Sequence, residues 1–368
     1  MRILHVTEAY GGGIQTAIAS YIRNSPAGIR HSIIARGRSG HETNTDLGCP
    51  VRLVTGGLRE FFKSVSVEIA ALQPTVVHLH SSYAGIFRLF APRGVTVVHT
   101  PHAFAFLRLD VRRMSRLAYL IIEILLARKV DVIAAISPFE YKLAKRLAPR
   151  RAQVRYLPNV ASPTSSVPQL DSAAQAGGMD IITIGRITAQ KDPQFVAEVA
   201  RHLSQGWRWV WVGDGDVESK EVLRSAGIQV TGWLPNAEVI SLLQGAALYV
   251  HGAAWEGAPL TLLEAVANGI PVIARDVPTL GGLGFPTGGA DAEDMADAIE
   301  RFFVDDAESV RVRSICDMSM RVHSEEVQRE ALRDLYMGDA FDVRSCQSYN
   351  DVSSASMTVA WGADSRDR

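Results

Sequence analysis

Two carboxylates with seven residues between them, Glu256 and Glu264, frame the most chemically pointed stretch of this sequence, Trp255 to Ala274. Gly257-Ala258-Pro259 precedes an apolar run from Leu260, and Asn268-Gly269 separates that run from Pro271-Val272-Ile273-Ala274. The order reads as a tight loop, a helix over 259–267, a left-handed helix exit and a buried strand. Pro259 is expected in the first helical turn, where a missing N–H leaves nothing unpaired. The helix start offers N–H groups and partial positive charge, a setting for phosphate. With Glu256 in the loop and Glu264 in the second turn, one acid can accept ribose hydroxyls while the other faces a sugar. Further upstream, Arg186 and Lys191 follow the apolar run Ile181–Ile184. Two fixed cations at a strand end suit a diphosphate, the arginine as a fork and the lysine as a point charge.

Other clusters are less specific. Gly11-Gly12-Gly13 follows the first strand-like run and lets backbone approach a ligand closely. It lacks the G-x-G-x-x-G spacing, and Arg36 stands where a dinucleotide site needs an acid. His78, His80, His99 and His102 come from two neighbouring strand ends, with no thiol or carboxylate beside them in sequence. That is a weak zinc pattern, and no metal is expected. Arg108, Arg112, Arg113 and Arg116 open a helix continuing as LAYLIIEILLARK. The arginines fit an anionic membrane surface or solvent equally well, and the apolar body is expected to pack into the core.

The elements that must position these residues alternate between strand and helix. Strand-like runs at 3–7, 32–35, 76–80, 95–100, 132–136 and 154–157 are separated by helix-like runs at 14–23, 58–72, 114–127 and 138–147. A second series has strands at 181–184, 209–212, 229–230, 248–250 and 271–273, with helices at 194–203, 217–226, 237–243 and 259–267. Alternation of this kind implies parallel βαβ units, so the fold class is α/β with two Rossmann-like domains facing a cleft. The expected boundaries are a first domain at 1–160, a Ser/Pro/Ala/Gly-rich linker at 161–178 and a second domain at 179–322. A terminal helix at 323–338 and a disordered tail at 339–368 complete the chain.

Composition narrows the function. A chain of 368 residues with 47% hydrophobic and 21% charged residues is a soluble globular type with room for two cores. Three scattered cysteines, Cys49, Cys316 and Cys346, point to free thiols in a reducing compartment. No leader precedes the first strand and no apolar run is long enough to span a bilayer, so the expected location is cytoplasmic or peripheral on the inner face of the membrane. The net charge of −1 hides an asymmetry: residues 1–170 hold 22 basic and 9 acidic side chains. A basic first half suits a polyanionic partner such as a phosphorylated substrate or an anionic membrane. Nucleic acid is disfavoured, because no helix-turn-helix, aromatic platform or zinc signature accompanies the charge.

The pattern EG-x-PL-x-LLEA-x-A-x-G-x-PVIA resembles the E-x7-E signature of the retaining glycosyltransferases of family 4, which have the GT-B fold. GRITAQKDP, VGDG at 212–215, TGWL at 231–234, and VVHLHSSYAG followed by VVHTPHAFAF are similar to further elements of that family, the last two to its bacterial surface-polysaccharide branch. Ala103 stands where that branch usually has glycine, and Asn159-Val160 where the family usually has Asn-Gly. The resemblance covers about residues 1 to 337. It implies a metal-independent transfer of a sugar from a nucleotide-sugar, UDP-sugar favoured over GDP-sugar, to a lipid-linked glycan. Arg186 and Lys191 would neutralise the leaving diphosphate, Glu256 would orient the sugar and Glu264 would hold the ribose. Gly12, Gly13 and Gly213 would line the nucleotide and diphosphate path, and Gly257, Ala258, Pro259 and Leu260 the helix start beneath it. His102 would face the donor sugar, with His80 and Ser81 beside the acceptor cleft. No cofactor beyond the donor is implied. A catalytically silent nucleotide-sugar-binding scaffold and a GT-B nucleotide-sugar epimerase are the alternative readings.

Overall fold

The computed structural model describes residues 1–37, 45–161, 179–204 and 206–338. The expected linker, apart from Ala161, and the expected tail lie outside the described residues. The first half runs β1 (Arg2–Tyr10), α1 (Gly13–Asn24), β2 (Arg30–Gly37), β3 (Val51–Leu53), α2 (Leu58–Leu72), β4 (Val76–His80) and β5 (Thr96–Thr100). It continues through α3 (Arg113–Leu126), β6 (Val132–Ala135), α4 (Pro138–Leu147) and β7 (Gln153–Tyr156). The second half runs β8 (Met179–Ile184), α5 (Pro193–His202), β9 (Trp209–Val212), α6 (Val217–Ser225), β10 (Gln229–Val230), α7 (Asn236–Gln244) and β11 (Ala246–His251). Then come α8 (Leu260–Ala267), β12 (Val272–Ala274), α9 (Ala292–Val304), α10 (Asp306–Val322) and α11 (Glu325–Met337).

The strands form two all-parallel sheets, ordered β3-β2-β1-β4-β5-β6-β7 and β10-β9-β8-β11-β12. In each sheet the strand order reverses direction once, between β1 and β4 and between β8 and β11. The crevice beyond the carboxyl ends of such a pair is where a doubly wound sheet binds its ligand. Continuous apolar strands explain why both faces can be covered: Trp209–Val212 and Val132–Ala135 are buried along their whole length. The second sheet's core gathers Ile182, Trp211, Tyr249, Leu262 and Phe302, while the first is split between the two faces of its sheet. α11 lies on the first half, where Leu332, Leu335 and Tyr336 join Ile3, Tyr21 and Val76. Gln328 fixes it there, accepting from Asn24 Nδ2 at 2.7 Å and donating to the Pro158 carbonyl at 2.8 Å.

Two local expectations need correction, and one strand is not among those expected. The short edge strand β3 carries no alternation in its three residues and is defined by pairing with β2 alone. Pro259 stands just before α8 as its N-cap, with ψ 118°, because the chain is still extended there. The apolar body of α3 is not in the core. Its buried residues are Glu123 and Leu126, while Met114, Leu117, Ile121 and Leu125 are each about half exposed or more, at 75%, 50%, 49% and 54%. The helix is held from its inner side by a buried ion pair, Arg88 Nη2 to Glu123 Oε2 at 2.7 Å, so the apolar stripe is left facing outward.

Candidate functional site

The two loops at the second sheet's reversal point carry the predicted acid, Glu256, and the predicted cations, Arg186 and Lys191. β8 ends at Ile184, and Gly185 takes φ 146°, where a side chain would press on Lys191 Cε at 3.0 Å. Gly213 is at φ 145°, and a Cβ there would sit 2.1 Å from the Gly185 carbonyl oxygen. The glycine at 213 is thus required by the contact between two strand-end loops, whatever it does for a ligand. Beyond this turn Lys191 reaches back, its Nζ 2.6 Å from Glu256 Oε1. Gln190 Nε2 donates to Glu256 Oε2 and to the Trp255 carbonyl, both at 3.2 Å, and the Glu256 backbone N–H donates to Thr279 Oγ1 at 3.1 Å. The Glu256 carboxylate is therefore aimed by two side chains, Lys191 and Gln190, while Thr279 anchors its backbone. His251 lies beneath, its Nε2 3.7 Å from Glu256 Oε1, and burial pushes its pKa well below the usual range, so it is neutral.

Arg186 lies on the far side of the same loop. It lines an open depression of about 540 Å³ with Thr188, Asp214, Gly215, Asp216 and Trp233. Trp233 is 52% exposed, an aromatic face standing at the edge of that space. Glu264 is half-buried in the second turn of α8. The predicted cations therefore divide: Lys191 holds the acid, and Arg186 faces the depression.

The loop Gly257–Leu260 packs against the first half. Asn159 Nδ2 donates to the Ala258 carbonyl at 2.9 Å, and a Cβ on Gly257 would lie 3.0 Å from the Ala103 nitrogen and 3.3 Å from the His102 carbonyl carbon. Gly12 caps α1 with φ 55°, and a Cβ on Gly13 would meet Leu260 Cδ1 at 3.7 Å. Gly12, Gly13, His102 and the start of α8 thus converge from both halves, although they are more than 150 residues apart in sequence for the most distant pairs. Among the described residues no side chain caps α8.

His102 and Ala103 take left-handed backbone, φ 50° and 74°. Glu140 holds them there. Its Oε2 accepts from the Ala103 N–H at 3.0 Å and its Oε1 from the Ile136 N–H at 3.2 Å. Burial raises its pKa to about 7, against the opposing pull of those two N–H groups. Sequence reasoning missed Glu140, yet Ser137-Pro138-Phe139-Glu140 is a capping-box pattern, with the Glu140 N–H donating to Ser137 Oγ at 3.1 Å. It also missed Gln190, Thr279, and Glu8, which accepts from Ser81 Oγ at 2.6 Å and from the Ala84 N–H at 3.1 Å.

The four histidines do not act as one group. His99 lies apart, its Nε2 3.1 Å from the Ser81 carbonyl. His80 is fully buried, and its Nδ1 lies 3.1 Å from His102 Nε2. His5 and His31, which the sequence reading passed over, join them.

Residues 178–305 match the family described as glycosyl transferases group 1, and residues 12–160 match the glycosyl transferase 4-like domain. Between them the two matches span most of the chain. An uncharacterized 41.2 kDa protein of the cps region of Klebsiella pneumoniae is 24% identical over 91% of this chain and 94% of its own length. The UDP-Gal:alpha-D-GlcNAc-diphosphoundecaprenol alpha-1,3-galactosyltransferase of Escherichia coli is 26% identical over 55% of this chain and 58% of its own. Among solved structures, Anabaena Alr3699/HepE in complex with UDP and glucose superimposes with a TM-score of 0.74 at 14% identity, covering 92% of this chain and all of that one. At that identity the likeness is one of fold, the two-domain architecture of GT-B glycosyltransferases.

Proposed function

We propose a specific reaction for a chain that belongs to the group 1, family-4-type glycosyltransferases: transfer of a sugar, with retention at the anomeric carbon, from a UDP-sugar to a lipid-linked glycan in polysaccharide biosynthesis. The observation that carries this reading is the Glu256 carboxylate, aimed by Lys191 and Gln190 at the mouth of α8, with Arg186 of the same loop lining the open depression on its far side. Lys191 has three N–H donors, so it can keep Glu256 and still reach a phosphate oxygen. Arg186 and the uncapped α8 N-terminus add positive charge where the leaving diphosphate gains negative charge, which stabilises the transition state without a metal. Glu256 orients the sugar, Glu264 accepts from the ribose, and the departing phosphate takes the acceptor's proton. The UDP-bound likeness and the undecaprenol-linked substrate named for the Escherichia coli relative support the choice of base and acceptor.

The exposed stripe of α3 supports a lipid-borne acceptor. Met114, Leu117, Ile121 and Leu125 stand out beside Arg112 and Arg113, an apolar face with a cationic rim. Such a face enters the headgroup boundary of an anionic bilayer. Among the described residues no helix is long and apolar enough to cross a membrane.

A thermal-shift panel of UDP-, GDP-, ADP- and TDP-sugars, without added metal, tests the donor. A ligand that binds only the folded chain raises the melting temperature. A UDP-sugar is expected to give the clear shift, and Glu256→Gln or Lys191→Ala to lower turnover by about two orders of magnitude or more while leaving the fold intact. Near-normal turnover in both variants removes the assignment. No shift with any donor favours the silent scaffold. Sedimentation with phosphatidylglycerol vesicles, compared with Leu117→Glu/Ile121→Glu, tests the α3 face; equal binding by both proteins removes it.

A further inference from the structure

Four imidazoles form one hydrogen-bonded row that climbs obliquely across the first sheet. His31 Nδ1 lies 2.9 Å from His5 Nε2, His5 Nδ1 lies 2.9 Å from His80 Nε2, and His80 Nδ1 lies 3.1 Å from His102 Nε2. The register explains the path. Thr7 of β1 pairs with His80 of β4, two residues beyond the pairing of His5 with His78, and His80 pairs with Thr100 of β5, two residues before His102. Steps of two keep the His31, His5 and His80 rings on one face while moving toward the carboxyl ends of the strands, and His102, just past the end of β5 in left-handed backbone, adds the fourth ring. That face is closed by Tyr21 of α1, stacked 6.1 Å from both His78 and His80, and by Tyr336 of α11.

Every link joins an Nδ1 to an Nε2. A neutral imidazole carries one N–H, so the row has two consistent protonation patterns: every proton on Nδ1 or every proton on Nε2. Burial lowers the pKa of all four rings, to about 4 at His31 and about 3 at His102, so the neutral form is the one to consider. The buried end decides between the patterns. His31 Nε2 is buried with no hydrogen-bond partner among the described residues. One pattern leaves an N–H stranded there, the other a bare lone pair, and stranded buried N–H groups are the rarer of the two.

We infer that His80, His5 and His31 are positioning residues that hold His102 in its Nδ1–H form, so that it presents an N–H donor to an oxygen of the bound sugar. This rests on the reading of His102 as the residue facing the donor sugar. His78 stands beside the row, its Nδ1 2.8 Å from Tyr336 Oη and its Nε2 2.8 Å from Thr100 Oγ1. His5, His78 and His80 have ring nitrogens close enough to hold a metal ion. The row argues otherwise, because both nitrogens of each of the three rings already have hydrogen-bond partners.

The test is ¹⁵N NMR of the full chain labelled at histidine, without ligand, together with elemental analysis. The expected result is Nδ1–H, the tautomer that free histidine disfavours, at His31, His5, His80 and His102. In His80→Leu the His102 ring loses the donor to its Nε2 and reverts to Nε2–H, and kcat/KM falls about tenfold, the scale of one hydrogen bond. His80→Gln keeps an amide donor at that place and restores both the tautomer and most of the rate. Nε2–H at His102 in the unaltered protein overturns the inference, as does one equivalent of zinc with metal-shifted His5, His78 and His80 signals. Equal loss of rate in His80→Leu and His80→Gln overturns the positioning role even if the tautomers are as stated. If His80→Leu does not fold, the unaltered protein and His80→Gln still decide the tautomer. Failure of the transferase reading looks different: no donor binds, and the tautomer pattern is unchanged.

Discussion

Glu140→Gln should change how the stability of the first half depends on pH, and the structure fixes both sign and size. Glu140 is 1% exposed, and burial outweighs its two backbone N–H donors to lift its pKa to about 7, against 4.5 for the unburied group. The folded state therefore holds this proton more tightly than the unfolded state. Its contribution to stability is fully present below about pH 4.5 and is lost as pH rises through about 7. From about pH 5 to about pH 8 the loss comes to roughly 2.5 kcal/mol, taking about 1.4 kcal/mol per pKa unit. The buried histidines act with the opposite sign. Their lowered pKa values favour the folded state above about 6.5 and withdraw that support as the solution is acidified. A single pH profile mixes the two effects, but the difference between unaltered protein and Glu140→Gln removes the histidines. The first 206 residues hold no tryptophan, and the five described ones, Trp207, Trp209, Trp211, Trp233 and Trp255, lie in the second half, so their fluorescence serves as an internal control. Urea unfolding followed by circular dichroism near pH 5 and near pH 8 should show the stability gap between the two proteins shift by about 2.5 kcal/mol, to the disadvantage of Glu140→Gln at the lower pH. A shift under about 1 kcal/mol, or one of reversed sign, would refute a proton held on Glu140 by burial.

Further outcomes follow from single contacts. Arg88→Met strands Glu123 in a site where the two side chains are 0% and 4% exposed, and should cost about 3 kcal/mol in denaturant unfolding, whereas Arg88→Met/Glu123→Leu should recover most of that. Gly213→Ala forces a methyl onto the Gly185 carbonyl and should lower the melting temperature markedly and abolish any donor-induced shift, while Gly57→Ala, which meets nothing within 4 Å at φ -82°, should bind donor as before. Ala103→Gly relieves a left-handed residue and should stabilise the protein by up to about 1 kcal/mol, the strain removed less the added freedom of the unfolded chain, read as a small rise in melting temperature.

The sequence by itself determined the two alternating series, because parallel strands buried on both faces must be continuous apolar runs and the crossover helices must separate them. It also placed Glu256, Lys191, Arg186 and the glycine turns at element ends, because turn chemistry and helix starts are written in local residue order. What remained hidden was set by packing between distant segments. The outward stripe of α3 has the same spacing as a core-facing helix, and tertiary contacts, the buried Arg88–Glu123 pair and Leu126 among them, decide which way it turns. Glu140 reads as an ordinary capping acid until the fold brings the Ala103 N–H to it from 37 residues away. His5 and His31 are lone histidines in two separate strands, and no local pattern ties them to His102. Their row exists because parallel pairing in one register puts β2, β1, β4 and β5 side by side, a period of two keeps the His31, His5 and His80 rings on the same face, and the left-handed turn after β5 brings His102 to its end.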